Sequence, residues 1–122
     1  QNIIEFIFNI YPFSRKSNIR QSMKLTGKIL DKGFCIGICP EGTRSINGQL
    51  QPFKQGIGVI ATQMKVLIIP VKIEGLFEIL PKGKIFPKPG KVTISFGKSI
   101  KFSSDESYLK ATREIQKAVK SL

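Results

Sequence analysis

The sequence predicts an α/β domain in which a mixed, mostly parallel sheet is flanked by helices. Apolar runs of strand length alternate along the chain with segments whose apolar residues recur at helical spacing. Hydrophobic residues make up 41% of the composition, which is enough for a packed core and argues against intrinsic disorder. The length of 122 residues suits one domain, so we expect residues 1–122 to form a single domain.

Three segments carry the helical pattern. Residues 17–32 have apolar side chains on one face, and Gly33 is a natural stop for that helix. Residues 55–64 predict a shorter helix, and a last helix follows the capping-box spacing of Ser103 and Glu106 and runs to about residue 121. The first helix also carries a basic stripe, interpreted either as a solvated face or as a surface for anionic lipid or phosphate. The stripe consists of Lys16, Arg20, Lys24, Lys28 and Lys32.

Three apolar runs indicate strands. Residues 34–39 predict a buried strand. Residues 66–73 are almost continuously apolar, as expected of a strand that is covered on both faces of a parallel sheet. Pro70 lies inside the second run and indicates an edge, a bulge or a strand end there. Residues 92–96 alternate between polar and apolar side chains. Three strands make an incomplete sheet, and the chain begins with Gln1 rather than Met. We therefore expect the chain to be part of a longer polypeptide.

Both cysteines, Cys35 and Cys39, lie in the first apolar run. Four residues along a strand span about 13 Å, which is too far for a disulfide between them. We therefore expect two buried thiols in a reducing compartment, and no metal site, because two cysteines without histidine do not make one. The apolar run over residues 3–11 is too short to cross a bilayer, for which a helix needs about 20 apolar residues.

The charge balance narrows the range of functions. Twenty Lys and Arg against eight Asp and Glu give a net charge of +12, which favours an anionic membrane, substrate or nucleic acid as partner. Histidine is absent, so this stretch contains no His-based acid–base pair, no Ser-His-Asp or Cys-His triad and almost no prospect of a catalytic zinc site.

A polar loop directly follows the first predicted strand, and ligands of open α/β sheets bind beyond the carboxyl ends of strands. Gly42 lets the backbone approach a ligand closely, while Thr43 and Ser45 supply hydroxyl groups. The planar guanidinium of Arg44 suits a phosphate. Glu41 would either accept hydrogen bonds from a ligand hydroxyl or hold an arginine in place. The loop is thus either a phosphate or polyol site or a solvated turn closed by an internal Glu–Arg pair.

The chain carries a specific block, Cys39-Pro-Glu-Gly-Thr-Arg-Ser45, followed by Phe53-Lys-x-Gly56 and Ile69-Pro-Val-Lys-Ile-x-Gly75. With these motifs the chain resembles the phospholipid and glycerol acyltransferase family, best known for the 1-acylglycerol-3-phosphate acyltransferases. The stretch Asn9-Ile-Tyr-Pro-Phe-Ser-Arg15 is similar to the family's second block. The resemblance covers roughly residues 9–101.

The resemblance implies transfer of a fatty acyl group from acyl-CoA or acyl carrier protein to a hydroxyl of a glycerol phosphate or lysophospholipid, with no metal or other cofactor. The family's general base is the His of a His-x-x-x-x-Asp block that precedes the second block, and this chain has no His. We therefore expect residues 1–122 to be the C-terminal portion of a glycerolipid acyltransferase domain, inactive alone. The parent enzyme would work at the cytoplasmic face of a membrane, peripherally or anchored through the missing N-terminal part.

The resemblance and the loop chemistry together assign substrate-binding residues but no catalytic residue within the chain. The substrate-binding set is Arg15, Glu41, Gly42, Thr43, Arg44, Ser45 and Pro70. Two alternatives remain open: a non-catalytic module that binds anionic lipid, and a basic nucleic-acid-binding domain. The second is disfavoured because most Phe and Tyr residues lie in apolar runs rather than between lysines on an exposed sheet.

Overall fold

The computed structural model describes residues 19–122. The chain divides into two compact units, Gln1–Gly37 and Ile38–Leu122. Within the described residues the elements are, in chain order, α1 (Ile19–Asp31), α2 (Gly56–Gln63), β1 (Val71–Glu74), α3 (Leu76–Ile79), β2 (Thr93–Phe96) and α4 (Tyr108–Lys120).

Helix α1 of the first unit confirms the helix predicted from the spacing of apolar residues. Ser22 and Thr26 are buried on one face, and the Thr26 hydroxyl donates to the Ser22 carbonyl oxygen over 2.9 Å. Gly33 ends the helix as predicted, with a φ of 81° and its N–H 2.9 Å from the Leu30 carbonyl oxygen. Lys16 of the basic stripe lies outside the described residues. The other members of the stripe are all exposed: Arg20, Lys24, Lys28 and Lys32.

Residues 34–39 form no strand, so that prediction is wrong. An apolar run becomes a strand only when another segment supplies hydrogen-bond partners along its length, and no segment of residues 19–122 does so here. The thiols of Cys35 and Cys39 are unbonded to one another, as expected, but both residues are exposed rather than buried.

The sheet of the second unit has two antiparallel strands, which corrects the prediction of a mostly parallel sheet for the described residues. Val71 pairs with Phe96 at one end of the ladder, and Glu74 pairs with Thr93 at the other. Only short helix α3 and an extended loop connect the strands, without the long helical crossover that parallel neighbours require. The result is a mixed helix-and-sheet unit with less sheet than the sequence predicts.

Pro70 explains why the second predicted strand is shorter than its apolar run. Strand β1 begins at Val71, immediately after the proline that cannot donate a hydrogen bond. The Pro70 carbonyl oxygen still accepts the N–H of Gly97 over 2.8 Å. Further upstream, Ile68 and Ile100 exchange backbone hydrogen bonds of 2.9 and 2.8 Å. Of the three possibilities that Pro70 indicated, an edge, a bulge or a strand end, the structure shows a strand end.

The core of the second unit lies between α2 and α4. Its buried members are Ile57, Ala61, Phe102, Ala111 and Ile115. The helices approach so closely at Gly58 that a Cβ atom there would overlap the Tyr108 carbonyl oxygen. The Thr112 hydroxyl hydrogen-bonds the same carbonyl over 2.8 Å, so its burial leaves no unsatisfied group. This packing fixes the two helices that carry the loop described below.

The predicted capping box forms a turn ahead of α4 rather than its first residues. The Ser103 N–H donates to Glu106 Oε1 over 2.8 Å, as in a capping box, but the helix begins at Tyr108. The Ser103 hydroxyl also donates to the Asp105 carboxylate. That bond, helped by the Asp105 backbone N–H, lowers the pKa of the exposed Asp105 carboxyl from its ordinary value.

Candidate functional site

The candidate loop comprises residues 40–55 and is closed at its base. The Lys54 N–H donates to the Pro40 carbonyl oxygen over 2.8 Å, which joins the two ends of the loop. Next to this bond, the Phe53 N–H donates to Gln116 Oε1 on α4 over 3.1 Å. Because both anchors include backbone atoms, the base of the loop is fixed relative to the helical core.

Glu41 acts inside the loop as an acceptor for backbone. Its Oε2 atom accepts the Gln51 N–H over 2.6 Å, and the Glu41 side chain is half-buried. A hydrogen bond to a carboxylate is stronger than one between neutral groups, so this contact ties the returning arm of the loop to the outgoing arm. The sequence left open that an ion pair of Glu41 with Arg44 closes the loop. That alternative is wrong, because within residues 19–122 the single ion pair joins Lys72 and Glu74.

The tip of the loop is a reversal stabilised by side-chain amides. Asn47 Oδ1 accepts the Gln49 N–H over 3.2 Å, and Gly48 follows with a φ of 78°. The Ser45 hydroxyl donates to the Gln49 carbonyl oxygen over 2.9 Å. Gly48 lies against the Phe77 ring, where an added Cβ atom would be only 3.2 Å from it. The Asn-Gly dipeptide at this tip is typical of such reversals.

Between the base and the tip, the loop presents a guanidinium and a hydroxyl to solvent. Gly42 adopts a left-handed φ of 72°, and the next two residues, Thr43 and Arg44, are exposed. The Arg44 guanidinium makes no hydrogen bond or ion pair with any residue in the described part of the chain. All five of its N–H donors are therefore available for an anionic ligand.

A second cation reaches this part of the loop from a distant segment. Lys82 Nζ lies 3.5 Å from Thr43 Oγ1, at the outer limit of a hydrogen bond. The sequence analysis did not assign Lys82 to the site; the available signal was the basic character of residues 80–91 after the predicted strand. The exposed Thr43 hydroxyl thus has a lysine ammonium beside it and is followed in the chain by an exposed arginine, a combination of groups that attracts phosphate oxygens.

Two further residues were predicted for the site, and only one of them, Pro70, is among the described residues. Pro70 is buried, and its carbonyl oxygen is used by Gly97 at the end of the sheet. Arg15 lies outside the described residues. No group of three or more acidic or cysteine side chains that could hold a metal ion occurs among residues 19–122. The helices of that same part of the chain are too short or too polar to cross a membrane.

Comparison with known proteins decides the family. A model of the acyltransferase family matches residues 3–74, which is more than half of the chain and includes the whole candidate loop. The chain belongs to the acyltransferase family. The resemblance seen in the Pro-Glu-Gly-Thr-Arg-Ser block is thereby confirmed at the level of the family, and no solved structure matches the chain significantly.

Three similar relatives carry the name 1-acyl-sn-glycerol-3-phosphate acyltransferase. A chloroplastic one from Brassica napus is 38% identical over 61 residues, which is 50% of this chain and 18% of the relative. One from Cocos nucifera is 34% identical over 73 residues, covering 60% of this chain and 24% of the relative. The beta form from Homo sapiens is 38% identical over 67 residues, 55% of this chain and 24% of its own length. The chain thus spans about a fifth of the length of the relatives that it matches.

Replacing Glu41 in this acyltransferase-family loop tests its internal hydrogen bond. We expect Glu41→Ala to lower the free energy of unfolding by about 1–2 kcal/mol, because the half-buried Gln51 N–H loses a charged acceptor. Glu41→Gln keeps an acceptor oxygen at the same place and should lose less than half of that. Urea denaturation of both variants checks the prediction, and equal losses in the two variants would contradict it.

Proposed function

We propose that the candidate loop binds the phosphate of a glycerol phosphate or lysophospholipid acceptor during acyl transfer. The observation that carries this proposal is the unpaired, exposed Arg44 guanidinium on a loop whose base is anchored to α4, in a chain of the acyltransferase family. An anchored loop lets a bidentate Arg–phosphate pair form without much ordering of the protein on binding.

The residues of the loop divide into ligand-binding and positioning groups. Arg44 and Lys82 contact the phosphate, and the Thr43 hydroxyl between them bonds a phosphate or glycerol oxygen. Glu41 and Ser45 position the loop through their bonds to Gln51 and Gln49, while Glu41 Oε1 and the lone pairs of the Ser45 oxygen accept hydrogen bonds from the acceptor's hydroxyl groups. Gly42 lets the backbone approach the ligand, and Arg15 and Pro70 stay proposed contacts on the strength of the resemblance.

The acceptor we propose is lysophosphatidate, the substrate that the relatives' names give for those proteins. Its free hydroxyl oxygen attacks the carbonyl carbon of a thioester, carried by acyl-CoA or acyl carrier protein. A C–O bond forms, the C–S bond breaks, and the proton of the hydroxyl leaves with the thiol. A general base must take up that proton in transit, and we propose that a His-x-x-x-x-Asp block outside these 122 residues supplies it, since the chain has no His.

We propose the cytoplasmic face of a membrane as the place of action, with peripheral or N-terminally anchored attachment. The acceptor is a lipid that resides in the bilayer, and the net charge of +12 on these residues attracts anionic headgroups. The chemistry of a thioester donor calls for no resident cofactor or metal.

The decisive experiment measures thiol release by the full-length protein with acyl-CoA and each of two acceptors. Lysophosphatidate should be acylated, and monoacylglycerol, which lacks the phosphate, should react at least about 100-fold more slowly by kcat/KM, because the charged hydrogen bonds to phosphate are lost. Equal rates with both acceptors would contradict phosphate recognition. Replacing acyl-CoA with acyl carrier protein in the same assay identifies the donor.

A non-catalytic lipid-binding module is the second candidate, favoured by the complete absence of histidine from the chain. It predicts saturable binding of lysophosphatidate without thiol release in the full-length protein. The same samples, examined by isothermal titration calorimetry and by the thiol assay, separate the two functions.

A further inference from the structure

Residues 80–91, termed the lysine loop below, carry an unusual apolar tip. Ile85 and Phe86 are each 85% exposed, more than any other large hydrophobic residue in the described part of the chain. Single exposed hydrophobic residues are ordinary on protein surfaces, but two adjacent ones that are almost fully solvated are costly and call for an apolar partner.

The charge around this tip is of one sign. The lysine loop contains Lys82, Lys84, Lys88 and Lys91, all exposed. No Asp or Glu occurs between Glu78 and Asp105, so no acidic neighbour in sequence offsets these charges. An apolar tip within a rim of lysines complements an anionic lipid surface, which offers phosphates at its face and hydrocarbon beneath.

The lysine loop is also preformed. The Lys84 N–H donates to the Pro81 carbonyl oxygen over 3.1 Å, and the Lys88 N–H donates to the Ile79 carbonyl oxygen over 2.8 Å. Gly83 makes the turn with a φ of 93°, and Gly90 packs so tightly on Ile79 that an added Cβ would be 2.6 Å from its side chain. These bonds hold the tip in place, so binding through it costs little conformational entropy.

We propose that the lysine loop inserts Ile85 and Phe86 into an anionic lipid bilayer, with the four lysines at the level of the lipid phosphates. This inference rests on the proposed function in one respect: Lys82 also contacts Thr43 of the candidate loop, so insertion brings the acceptor-binding groups to the headgroup layer. A lipid acceptor then reaches Arg44 without leaving the bilayer surface. A nucleic acid fits the lysines but gives the aliphatic Ile85 no apolar phase to enter.

Insertion is observed directly with Phe86→Trp in the full-length protein. These 122 residues contain no Trp, so the difference in emission between variant and parent reports on position 86. We expect a blue shift on adding vesicles of phosphatidylcholine with 30% phosphatidylglycerol, and quenching by lipids brominated near the headgroup. An emission spectrum that is unchanged by these vesicles would overturn the proposal.

Matched variants separate the contribution of the apolar tip to vesicle binding from that of the lysines and from that of surface hydrophobicity in general. Ile85→Ser with Phe86→Ser should weaken vesicle binding in sedimentation assays by at least about tenfold, because two side chains no longer enter hydrocarbon. Leu67→Ser, at a residue outside the loop that is 63% exposed, should not weaken vesicle binding.

Lys84→Gln with Lys88→Gln should weaken vesicle binding by about fivefold per lysine, against little change for Lys110→Gln with Lys117→Gln on α4. Equal effects within either pair would contradict the proposal.

Activity on a dispersed acceptor distinguishes failure of this inference from failure of the proposed function. With a short-chain lysophosphatidate below its critical micelle concentration, the Ile85→Ser, Phe86→Ser variant should retain the parent's kcat/KM, since chemistry no longer requires the bilayer. If it binds vesicles like the parent, the inserted tip is excluded while phosphate recognition stands. If no form of the protein acylates the dispersed acceptor, the proposed function fails independently of vesicle binding.

Discussion

Arg44→Ala in the full-length protein is expected to lower kcat/KM for lysophosphatidate by about 100-fold, since charged hydrogen bonds contribute about 1.5–3 kcal/mol each and 1.4 kcal/mol is a factor of ten. The Arg44 side chain is exposed and its guanidinium makes no hydrogen bond or ion pair with another described residue, so its removal should leave stability unchanged. The loss therefore measures recognition of the acceptor. Steady-state kinetics with varied acceptor and saturating acyl-CoA provide the measurement.

Two control variants sharpen this test. Arg113→Ala removes the same charge from an exposed position on α4 and should leave kcat/KM within about twofold, because long-range charge effects at an exposed site are screened by salt. Arg44→Lys keeps the charge but loses the planar pair of donors, so an intermediate loss is expected. Monoacylglycerol should not distinguish Arg44→Ala from the parent. A similar loss with this acceptor would show that Arg44 supports the loop instead of the phosphate.

Gly58→Ala is expected to destabilise the second unit by about 2–3 kcal/mol, despite a gain of about 1 kcal/mol in helix propensity. An added Cβ would overlap the Tyr108 carbonyl oxygen and crowd the Thr112 hydroxyl. Because the Tyr108 carbonyl is backbone of α4, the helices must move apart, which loosens the core around Ile57 and Ile115. Thermal and urea unfolding of the full-length protein, followed by circular dichroism, measure the loss.

Gly56→Ala is the matched control, two residues away in the same helix. Nothing lies within 4 Å of a Cβ atom at position 56, and the glycine has no left-handed backbone to preserve. We expect no loss of stability and a gain of up to about 1 kcal/mol. If both variants behaved alike, the close approach of α2 and α4 at Gly58 would not be a constraint. Separation of the helices should also disturb the candidate loop, because the Phe53 N–H of the loop is hydrogen-bonded to Gln116 on α4.

Helices were predictable because their pattern is local. The apolar spacing that predicted α2 records the face that this helix buries, and the structure places both α1 and α2 within two residues of the expected bounds on the described ends. The start of α4 was less clear, because the Ser103–Glu106 turn satisfies the same local hydrogen bonds as a helix start without continuing into one. Short helix α3 was missed, since four residues carry no periodicity.

Strand partners were not predictable because they depend on distant residues. The run 34–39 and the run containing β1 look alike in sequence, yet only the second finds a partner, at Thr93–Phe96. Continuous apolarity was interpreted as burial in a parallel sheet, whereas Val71 and Ile73 remain exposed on an antiparallel one. Only the proline signal at position 70 was local enough to be interpreted correctly.

The candidate site shows the same division. Its block of residues, Pro40 to Ser45, was visible in the sequence. Glu41 had two proposed roles. Its partner, the Gln51 backbone N–H, could not be predicted, because every residue except proline carries such a group whatever its side chain. Lys82 was not assigned to the site from the sequence, because its contact with Thr43 spans 39 positions and arises only from the folded path of the chain.

The antiparallel pair of β1 and β2 has a consequence for handling the protein. With two strands among the described residues, each strand keeps one outer edge whose N–H and C=O groups face no ladder partner there. Charged side chains normally discourage a second molecule from adding at such an edge. The charge of Lys72, however, is balanced by an ion pair with Glu74, 3.1 Å away. The β1 edge is thus the weak point for intermolecular strand addition.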